Sequence, residues 1–333
     1  MNSAPTKSRL HHIDRLKVLG LMLVILAHVD LPAWLAQIRS FDVPLLVFVS
    51  AYLARRSFDN NSVITYYRKR FFRLAVPAWI FALIFWIVQS IVLRTPPSFI
   101  DVLKGITFQR DANMLGMLWV IWVYIVCALL IPFVDKLNFS FKTQGCVVLL
   151  LILFQVLCSY TTLSENRILY CTVFTAIPYG IITYLGYFCC DMKSKNKIIL
   201  SLGSAVIFCV TTAVLWYRGG FIFPISDYKY PAQIYFLCYA IPIIFVLFEL
   251  LPMFDKYKIS RLVQFISKSS LWVYLWHILV LYAVKMFIEN PVFWWLQYVI
   301  IIFVSICITW IQNKVVDWLL LKFNWKLLKV FKG

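Results

Sequence analysis

Long stretches of apolar residues dominate the chain and are separated by short polar connections. Runs such as LMLVILA, VVLLLILF and QYVIIIFVSICI show no alternation with a period of two, so they do not predict membrane β-strands. A helix needs about 20 apolar residues to cross a hydrocarbon core of ~30 Å. The pattern therefore predicts an all-α polytopic membrane protein with ten spans, at residues 18–36, 41–54, 74–93, 115–134, 145–163, 168–190, 198–216, 232–251, 269–288 and 292–312.

Composition supports a membrane protein over every soluble class. Of the 333 residues, 62% are apolar and only 14% are charged, whereas soluble domains carry about 25% charged residues. This excludes a soluble globular enzyme, a disordered chain and a fibrous protein. We expect one membrane domain, with a polar N-terminal tail at 1–17, the ten-helix bundle at 18–312 and a basic C-terminal tail at 313–333.

The net charge of +18 follows from an uneven distribution of Lys and Arg between alternate connections. One side of the predicted topology carries 24 of these residues and the other side 8, whereas the acidic residues divide 7 to 7. Cytoplasmic loops are enriched in Lys and Arg, so both termini are predicted to be cytoplasmic. We attribute the excess charge to topology and to contact with anionic membrane lipids, and we expect no nucleic-acid partner. The sequence leaves the oligomeric state open.

The first predicted span carries an imidazole near mid-membrane, where polar groups are costly and therefore suggest function. His28 follows Lys17 by eleven residues, a spacing that returns to the same helix face ~16 Å further along. Asp14 precedes Lys17 by three residues and is placed to pair with it. The alternative is a snorkelling Lys17 and a His28 that bonds a neighbouring carbonyl. His11 and His12 are expected to be solvated in the polar tail.

A second imidazole, His277, lies in the apolar segment SKSSLWVYLWHILVLY. Ser270, Tyr274 and His277 share one helix face, since they are four and three residues apart. His277 is predicted to lie at about the depth of His28, so the two imidazoles indicate a shared polar cavity. A purely structural His277 remains the alternative.

An Arg-rich segment, YYRKRFFRLAVPAW, begins the third predicted span. Arg68, Arg70 and Arg73 form a cluster that could hold a phosphorylated cofactor, because guanidinium groups bind phosphate bidentately. The alternative is a topology anchor. Ser50 and Trp119 are weaker candidates that packing would also explain. The Cys and His residues show no spacing typical of metal ligands, so we expect no metal.

Five segments resemble, in order, motifs of the integral membrane acyltransferase-3 family. In IDRLKVLGLMLVILAH, Lys17 and His28 fit the family pattern of a basic residue, ten residues and His, although many members have Arg at the first position. The others are FDVPLLVFVSAYL, with Ala51 where the family has Gly, YYRKRFFRLAVPAW, MLWVIWVYIVCALLIP and SKSSLWVYLWH. The resemblance extends over almost the whole chain and is closest to members without an extra soluble C-terminal domain.

The resemblance implies an O-acetyltransferase of the bacterial or phage-encoded O-antigen type, in the bacterial inner (plasma) membrane. The implied donor is acetyl-CoA, and the implied acceptor is a lipid-linked or surface carbohydrate such as the O-antigen of lipopolysaccharide. Two alternatives are a proton-coupled transporter, with His28 and His277 as a proton relay, and a lipid-linked sugar flippase. The sequence does not show the repeated halves of many transporters. A flippase would need a basic central cavity, whereas the Arg groups are predicted at the cytoplasmic rim.

The reaction suggests a role for each candidate residue. His28 is our choice of general base, because imidazole exchanges protons near neutral pH. Asp14 and Lys17 would organise the inner entrance, and the arginines would hold the coenzyme A phosphates. A further group would orient the acceptor or the thioester carbonyl, namely His277, Tyr274, Ser270, Ser50 and Trp119.

Overall fold

The structure is a computed structural model, and it describes residues 10–58, 62–137, 174–220, 224–287, 293–323 and 325–332, with scattered positions between 140 and 154. Within these residues the chain is helical and contains no strand, apart from one isolated bridge between Lys229 and Ala232. The predicted all-α class is therefore confirmed for the described part of the chain.

Twelve α-helices, numbered here over the described residues, form the bundle. They are α1 (His11–Leu26), α2 (Ala33–Ile38), α3 (Asp42–Phe58), α4 (Val63–Val92), α5 (Phe99–Ile106), α6 (Trp119–Asp135), α7 (Gly180–Phe188), α8 (Ser194–Gly219), α9 (Ile234–Leu250), α10 (Arg261–Lys268), α11 (Ser270–Phe287) and α12 (Trp294–Phe323). Short 3₁₀ helices occupy Asn113–Leu118, Ile177–Tyr179, Ile225–Tyr228, Leu251–Phe254 and Lys326–Phe331.

Seven helical segments in the described ranges are long and apolar enough to cross a membrane. They are Ala33–Phe58, Val63–Val92, Asn113–Asp135, Ser194–Gly219, Ile234–Phe254, Ser270–Phe287 and Trp294–Phe323. The predicted span 145–163 and the start of the span 168–190 fall largely outside the described residues. The count of ten and the cytoplasmic location of the termini therefore stay predictions.

The first predicted span is not one helix. The helix α1 ends at Leu26, a turn follows, and α2 begins only at Ala33. Pro32 is the N-cap of α2 and prevents a continuous helix across this region, because a proline disfavours the helical conformation of the residue before it and donates no backbone hydrogen bond. His28 therefore lies in a turn beyond the end of α1, and its backbone N–H donates to the carbonyl of Ile25 over 3.1 Å.

The start of α1 is packed against the chain and is not a solvated tail. His12 is buried, and its Nδ1 lies 2.6 Å from Oδ2 of Asp255. Arg15 donates to the other oxygen of the same carboxylate, also over 2.6 Å. The expectation of a solvated His12 was wrong because the sequence did not show that Asp255, far away along the chain, returns to this helix.

The bundle core lies around α1 and α3. The helix α1 packs on α3 and α11, and α3 packs on α6 and α7. Glycines permit two of these close approaches. A Cβ atom at Gly20 would lie 2.7 Å from the Leu46 side chain, and one at Gly186 would lie 2.5 Å from the carbonyl oxygen of Phe48. In contrast, Ser204 is the single buried residue of α8, which leaves its apolar surface available to lipid.

The chain after residue 312 is also part of the packed structure. The helix α12 continues to Phe323, and residues 325–332, called here the C-terminal segment, fold back against the bundle. The indole N–H of Trp272 donates to the carbonyl of Val330 over 3.0 Å, and the side-chain amide of Gln312 donates to the carbonyl of Phe331 over 2.6 Å. The predicted basic tail at 313–333 is therefore largely helical and attached.

Candidate active site

A cavity of about 330 Å³ opens among α1, α3, α4, α6 and α11. It is called here the central cavity. Six of the residues predicted from the sequence line it, and they are Lys17, Ser50, Arg70, Arg73, Ser270 and Tyr274. The fold thus brings together side chains from four separated motifs.

The lining of the central cavity also contains polar residues that the sequence analysis missed. Lys268 adds a fourth cation to Lys17, Arg70 and Arg73, and Tyr124 adds a hydroxyl group from α6. Lys268 stands only two residues before Ser270 in the SKSSLWVYLWH motif, which was the available signal. In the sequence, Lys268 contributes only to the uneven distribution of Lys and Arg that predicts the topology.

Lys17 and Asp14 are both attached to one residue at the end of α10. The ammonium group of Lys17 donates to the carbonyl oxygen of Ser267 over 2.6 Å. The hydroxyl of Ser267 donates in turn to Oδ1 of Asp14, also over 2.6 Å. Because Ser267 is buried, these bonds fix the start of α1 against the connection that leads into α11.

The arginine cluster divides between the central cavity and the surface. Arg70 and Arg73 line the cavity, and the guanidinium group of Arg70 lies 5.2 Å from the centre of the Tyr66 ring. Arg68 is exposed and is not among the residues that line the cavity. The three-residue spacing of Arg70 and Arg73 places them one helical turn apart, whereas Arg68 projects from another face.

The imidazoles of His28 and His277 are in direct contact. Their ring centroids lie 5.3 Å apart, and the ring planes are inclined by 30°. His277 is fully buried, whereas His28 is half-buried. The predicted common depth of the two rings therefore agrees with the structure, although His28 reaches it from a turn.

Hydrogen bonding defines which nitrogen of His277 is available. Its Nδ1 bonds the backbone carbonyl of Tyr274. Because a carbonyl can only accept, the hydrogen belongs on Nδ1, and Nε2 of the neutral ring keeps its lone pair. That Nε2 is buried and has no hydrogen-bond partner in the described part of the chain.

Tyr274 connects the imidazole pair to the central cavity. It lines the cavity, its hydroxyl donates to the backbone carbonyl of Met117, and its own carbonyl accepts from His277. His277 follows Tyr274 by three residues, which is a rise of about 4.5 Å along a helix. The imidazoles thus lie about one turn beyond the cavity wall.

A buried ionic cluster of Arg39, Asp42 and Lys229, called here the outer cluster, lies near His28. The carboxylate of Asp42 is completely buried and accepts from Arg39 over 2.5 Å and from Lys229 over 3.2 Å. Arg39 and Lys229 are close enough for their charges to act on His28. The sequence analysis missed this cluster, because Arg39 and Lys229 were counted only as charges of the outer connections.

Trp119 belongs to this outer cluster and not to the central cavity. Its ring packs edge-on against Tyr230 with centroids 4.9 Å apart, and the ammonium group of Lys229 lies 5.6 Å from its centre. Arg110 covers the same tyrosine at 4.1 Å. Trp119 is therefore separate from the six predicted site residues that line the central cavity.

The central cavity and the imidazole pair supply different chemistry. The central cavity combines four cations with hydroxyl groups, which suits a phosphorylated ligand. The imidazole pair offers a nitrogen base at the end of that cavity. In the described ranges, no three His, Cys, Asp or Glu side chains are grouped closely enough to hold a metal ion.

Comparison with known proteins gives one match. A family model described as an acyltransferase domain matches residues 10–313. No match was found among curated proteins or among solved structures. The matched range contains the central cavity, the imidazole pair and the outer cluster, and it ends within α12.

Proposed function

The chain belongs to the acyltransferase-3 family and is a membrane acyltransferase, and we propose that it transfers an acetyl group from acetyl-CoA to a hydroxyl group of a cell-surface carbohydrate such as O-antigen. The observation that carries this proposal is the position of the His28–His277 pair about one turn beyond a cavity lined by four cations. We place the reaction in the bacterial inner membrane, with the cationic end of the cavity toward the cytoplasm.

The donor would enter the central cavity with its phosphates toward Arg70, Arg73 and Lys268. Charge-assisted bonds to these groups would fix the anionic end of acetyl-CoA. The largely apolar wall beyond them, which includes Leu21, Leu46 and Val49, suits the extended pantetheine arm. The thioester would then point toward Tyr274 and the imidazoles.

The transfer itself needs a base and a partner for the developing oxyanion. We assign His28 as the base that removes the proton from the carbohydrate hydroxyl. The hydroxyl oxygen attacks the thioester carbon, the new C–O bond forms, and the C–S bond breaks. The proton then passes from His28 to the departing thiolate, which leaves as coenzyme A.

The remaining residues would position the reacting groups. His277 packs on His28 and would hold that ring in place, with Ser270, Ser50 and Tyr274 available as hydrogen-bonding groups on the cavity side. Asp14 and Lys17 would keep the mouth of the cavity in shape through Ser267. Trp119, in the outer cluster, would contact the acceptor from the opposite side.

The test is acetyl transfer by the purified protein. Radiolabelled acetyl-CoA is added to the protein in liposomes together with a lipid-linked or extracted surface glycan. We expect label in the glycan that mild alkali releases, because an acetyl ester is base-labile. A proton-coupled transporter or a flippase would leave the glycan unlabelled, and that result would refute the proposal.

A further inference from the structure

A second cavity, of about 570 Å³, lies next to the central cavity. It is called here the lysine cavity, and it opens between α4, α12 and the C-terminal segment. Arg73 and Lys268 line both cavities, so the two share a wall. A ligand in the lysine cavity would therefore contact two cations that also line the central cavity.

Residues beyond the family match contribute three of the nine side chains that line the lysine cavity. Lys314, Asp317 and Lys332 all follow residue 313, where the match ends, and all three line the lysine cavity. The C-terminal segment is held there by the bonds of Trp272 and Gln312 described above. The ring of Phe331 also stacks on Trp272 with centroids 5.6 Å apart.

The charges of the lysine cavity favour an anionic ligand. It is lined by four cations, Arg73, Lys268, Lys314 and Lys332, and by one carboxylate, that of Asp317, which bonds Lys332. Cations grouped in this way repel one another unless a ligand of opposite charge lies between them. A phosphate group meets that need.

The other groups in the lining suit a nucleotide. The side-chain oxygen of Asn313 is buried and has no hydrogen-bond partner among the described residues, while its amide nitrogen donates to the hydroxyl of Ser269 over 2.9 Å. This oxygen is placed to accept from a base amino group or a sugar hydroxyl. Trp310, half-exposed in the same wall, offers a ring for a base to stack on.

We propose that the lysine cavity binds the phosphorylated nucleotide end of the acyl-CoA donor, with Lys314 and Lys332 at its ribose 3′-phosphate. This inference rests on the proposed function, and it adds a second subsite outside the part of the chain that the family shares. The pantetheine arm would pass Arg73 and Lys268 into the central cavity. A lipid phosphate offers the same charge, but it would not account for the two cations that the lysine cavity shares with the central cavity.

The test compares coenzyme A with dephospho-coenzyme A, which lacks only the ribose 3′-phosphate. Binding of each to the full chain, purified in neutral phosphatidylcholine nanodiscs, is measured by titration calorimetry. We expect coenzyme A to bind about 10-fold more tightly or better. The Lys314→Ala and Lys332→Ala double variant should lose this preference while its affinity for dephospho-coenzyme A stays unchanged.

Controls separate the 3′-phosphate contact from charge loss and folding. Lys329→Ala removes the same charge from an exposed position of the C-terminal segment outside the cavity lining, and it should keep the preference. Lys314→Ala alone leaves the Lys332–Asp317 bond intact, and it should lose part of the preference. Equal binding of the two probes by the wild type, or an unchanged preference in the double variant, would overturn the inference.

Two further outcomes show whether a negative result concerns the nucleotide subsite alone or the proposed function as well. If the wild type shows no preference in neutral nanodiscs and retains an anionic phospholipid that the double variant loses, a lipid headgroup occupies the lysine cavity and the nucleotide inference is wrong. If the wild type binds neither probe and transfers no acetyl group, the proposed function fails together with the inference. Tight binding of coenzyme A without the 3′-phosphate preference would leave the proposed function standing.

Discussion

His28 and His277 lie ring against ring, with centroids 5.3 Å apart, although one follows the first helix and the other belongs to a late helix of the chain. The contact joins two motifs that the sequence shows only as separate histidines in apolar surroundings. It also gives each imidazole a distinct environment. His277 is bonded through Nδ1 and fully buried, whereas His28 is half-buried in a turn.

Replacing His28 should remove the chemical step and leave donor binding intact. A general base contributes about 10²–10⁴-fold to a rate, so His28→Ala should lose at least that factor in kcat for acetyl transfer. His28→Gln keeps hydrogen bonding but accepts no proton at neutral pH, and it should be as inactive. The measurement is turnover per folded molecule together with coenzyme A affinity. Near-wild-type turnover of His28→Gln would refute the assignment of the base.

Replacing His277 should have a smaller and partly reversible effect. His277→Ala removes the ring that packs on His28 and leaves the carbonyl of Tyr274 without this donor. His277→Gln retains an N–H donor, so it should recover part of the kcat that the Ala variant loses, if the role is positioning. Equal losses in the Gln and Ala variants would instead indicate that the imidazole takes part in proton transfer.

Arg70→Ala and Arg73→Ala should weaken donor binding with little change in kcat. Each charge-assisted phosphate bond contributes roughly 1.5–3 kcal/mol, which corresponds to about 10- to 150-fold in affinity. The matched control is Arg68→Ala, two residues before Arg70 on the exposed face of α4, which should leave the donor KM near the wild-type value. If all three variants behave alike, the cluster serves as a topology anchor.

The Asp42 cluster should be essential for stability. Asp42→Asn would leave Arg39 and Lys229 buried with an uncompensated charge, which typically costs about 3–5 kcal/mol. We expect a clearly lower melting temperature in detergent and a lower yield. Asp191→Asn is the control, because this exposed carboxylate lies 3.5 Å from Arg55 and should contribute less than about 1 kcal/mol. Equal melting temperatures of the two variants would contradict the importance of the buried cluster.

The topology predicted from the charge distribution is tested by reporter fusions. A reporter fused at Gly333 should be cytoplasmic, and one inserted in the connection at 94–114 should be exported, because 24 of 32 Lys and Arg residues lie on one predicted side. The assay compares a reporter active only in the cytoplasm with one active only after export. Exchanged locations would overturn the ten-span topology.

The sequence predicted the helical class and singled out six of the residues that line the central cavity, because both depend on local patterns. The shared polar cavity predicted around His28 and His277 is not this one, because neither imidazole is among its lining residues. Apolar runs predict helices, and the spacing of Ser270, Tyr274 and His277 predicts their shared face. The sequence did not predict that α1 ends at Leu26. Pro32 marked an interruption, but the apolar composition continues past Leu26.

The sequence did not predict the surroundings of residues that contact remote segments of the chain. Lys229 appeared to be an outer-loop charge, but it reaches the buried carboxylate of Asp42. His12 appeared to be solvated, but it meets Asp255. Trp119 was not expected to contact a remote tyrosine, but its ring packs edge-on against Tyr230. In each case, the partner is far away in the sequence and no local period indicates it.

The common wall of the two cavities, formed by Arg73 and Lys268, has a consequence for selectivity among cellular metabolites. A ligand that occupies both cavities is held as a chelate, because binding of one half raises the effective concentration of the other half at its subsite. Free nucleotides and short thioesters, which fill only one of the two cavities, would compete poorly with the donor even when they are abundant. Transfer cuts the ligand at its acetyl end and leaves the chelating part whole, so the spent carrier would compete with fresh donor for both cavities.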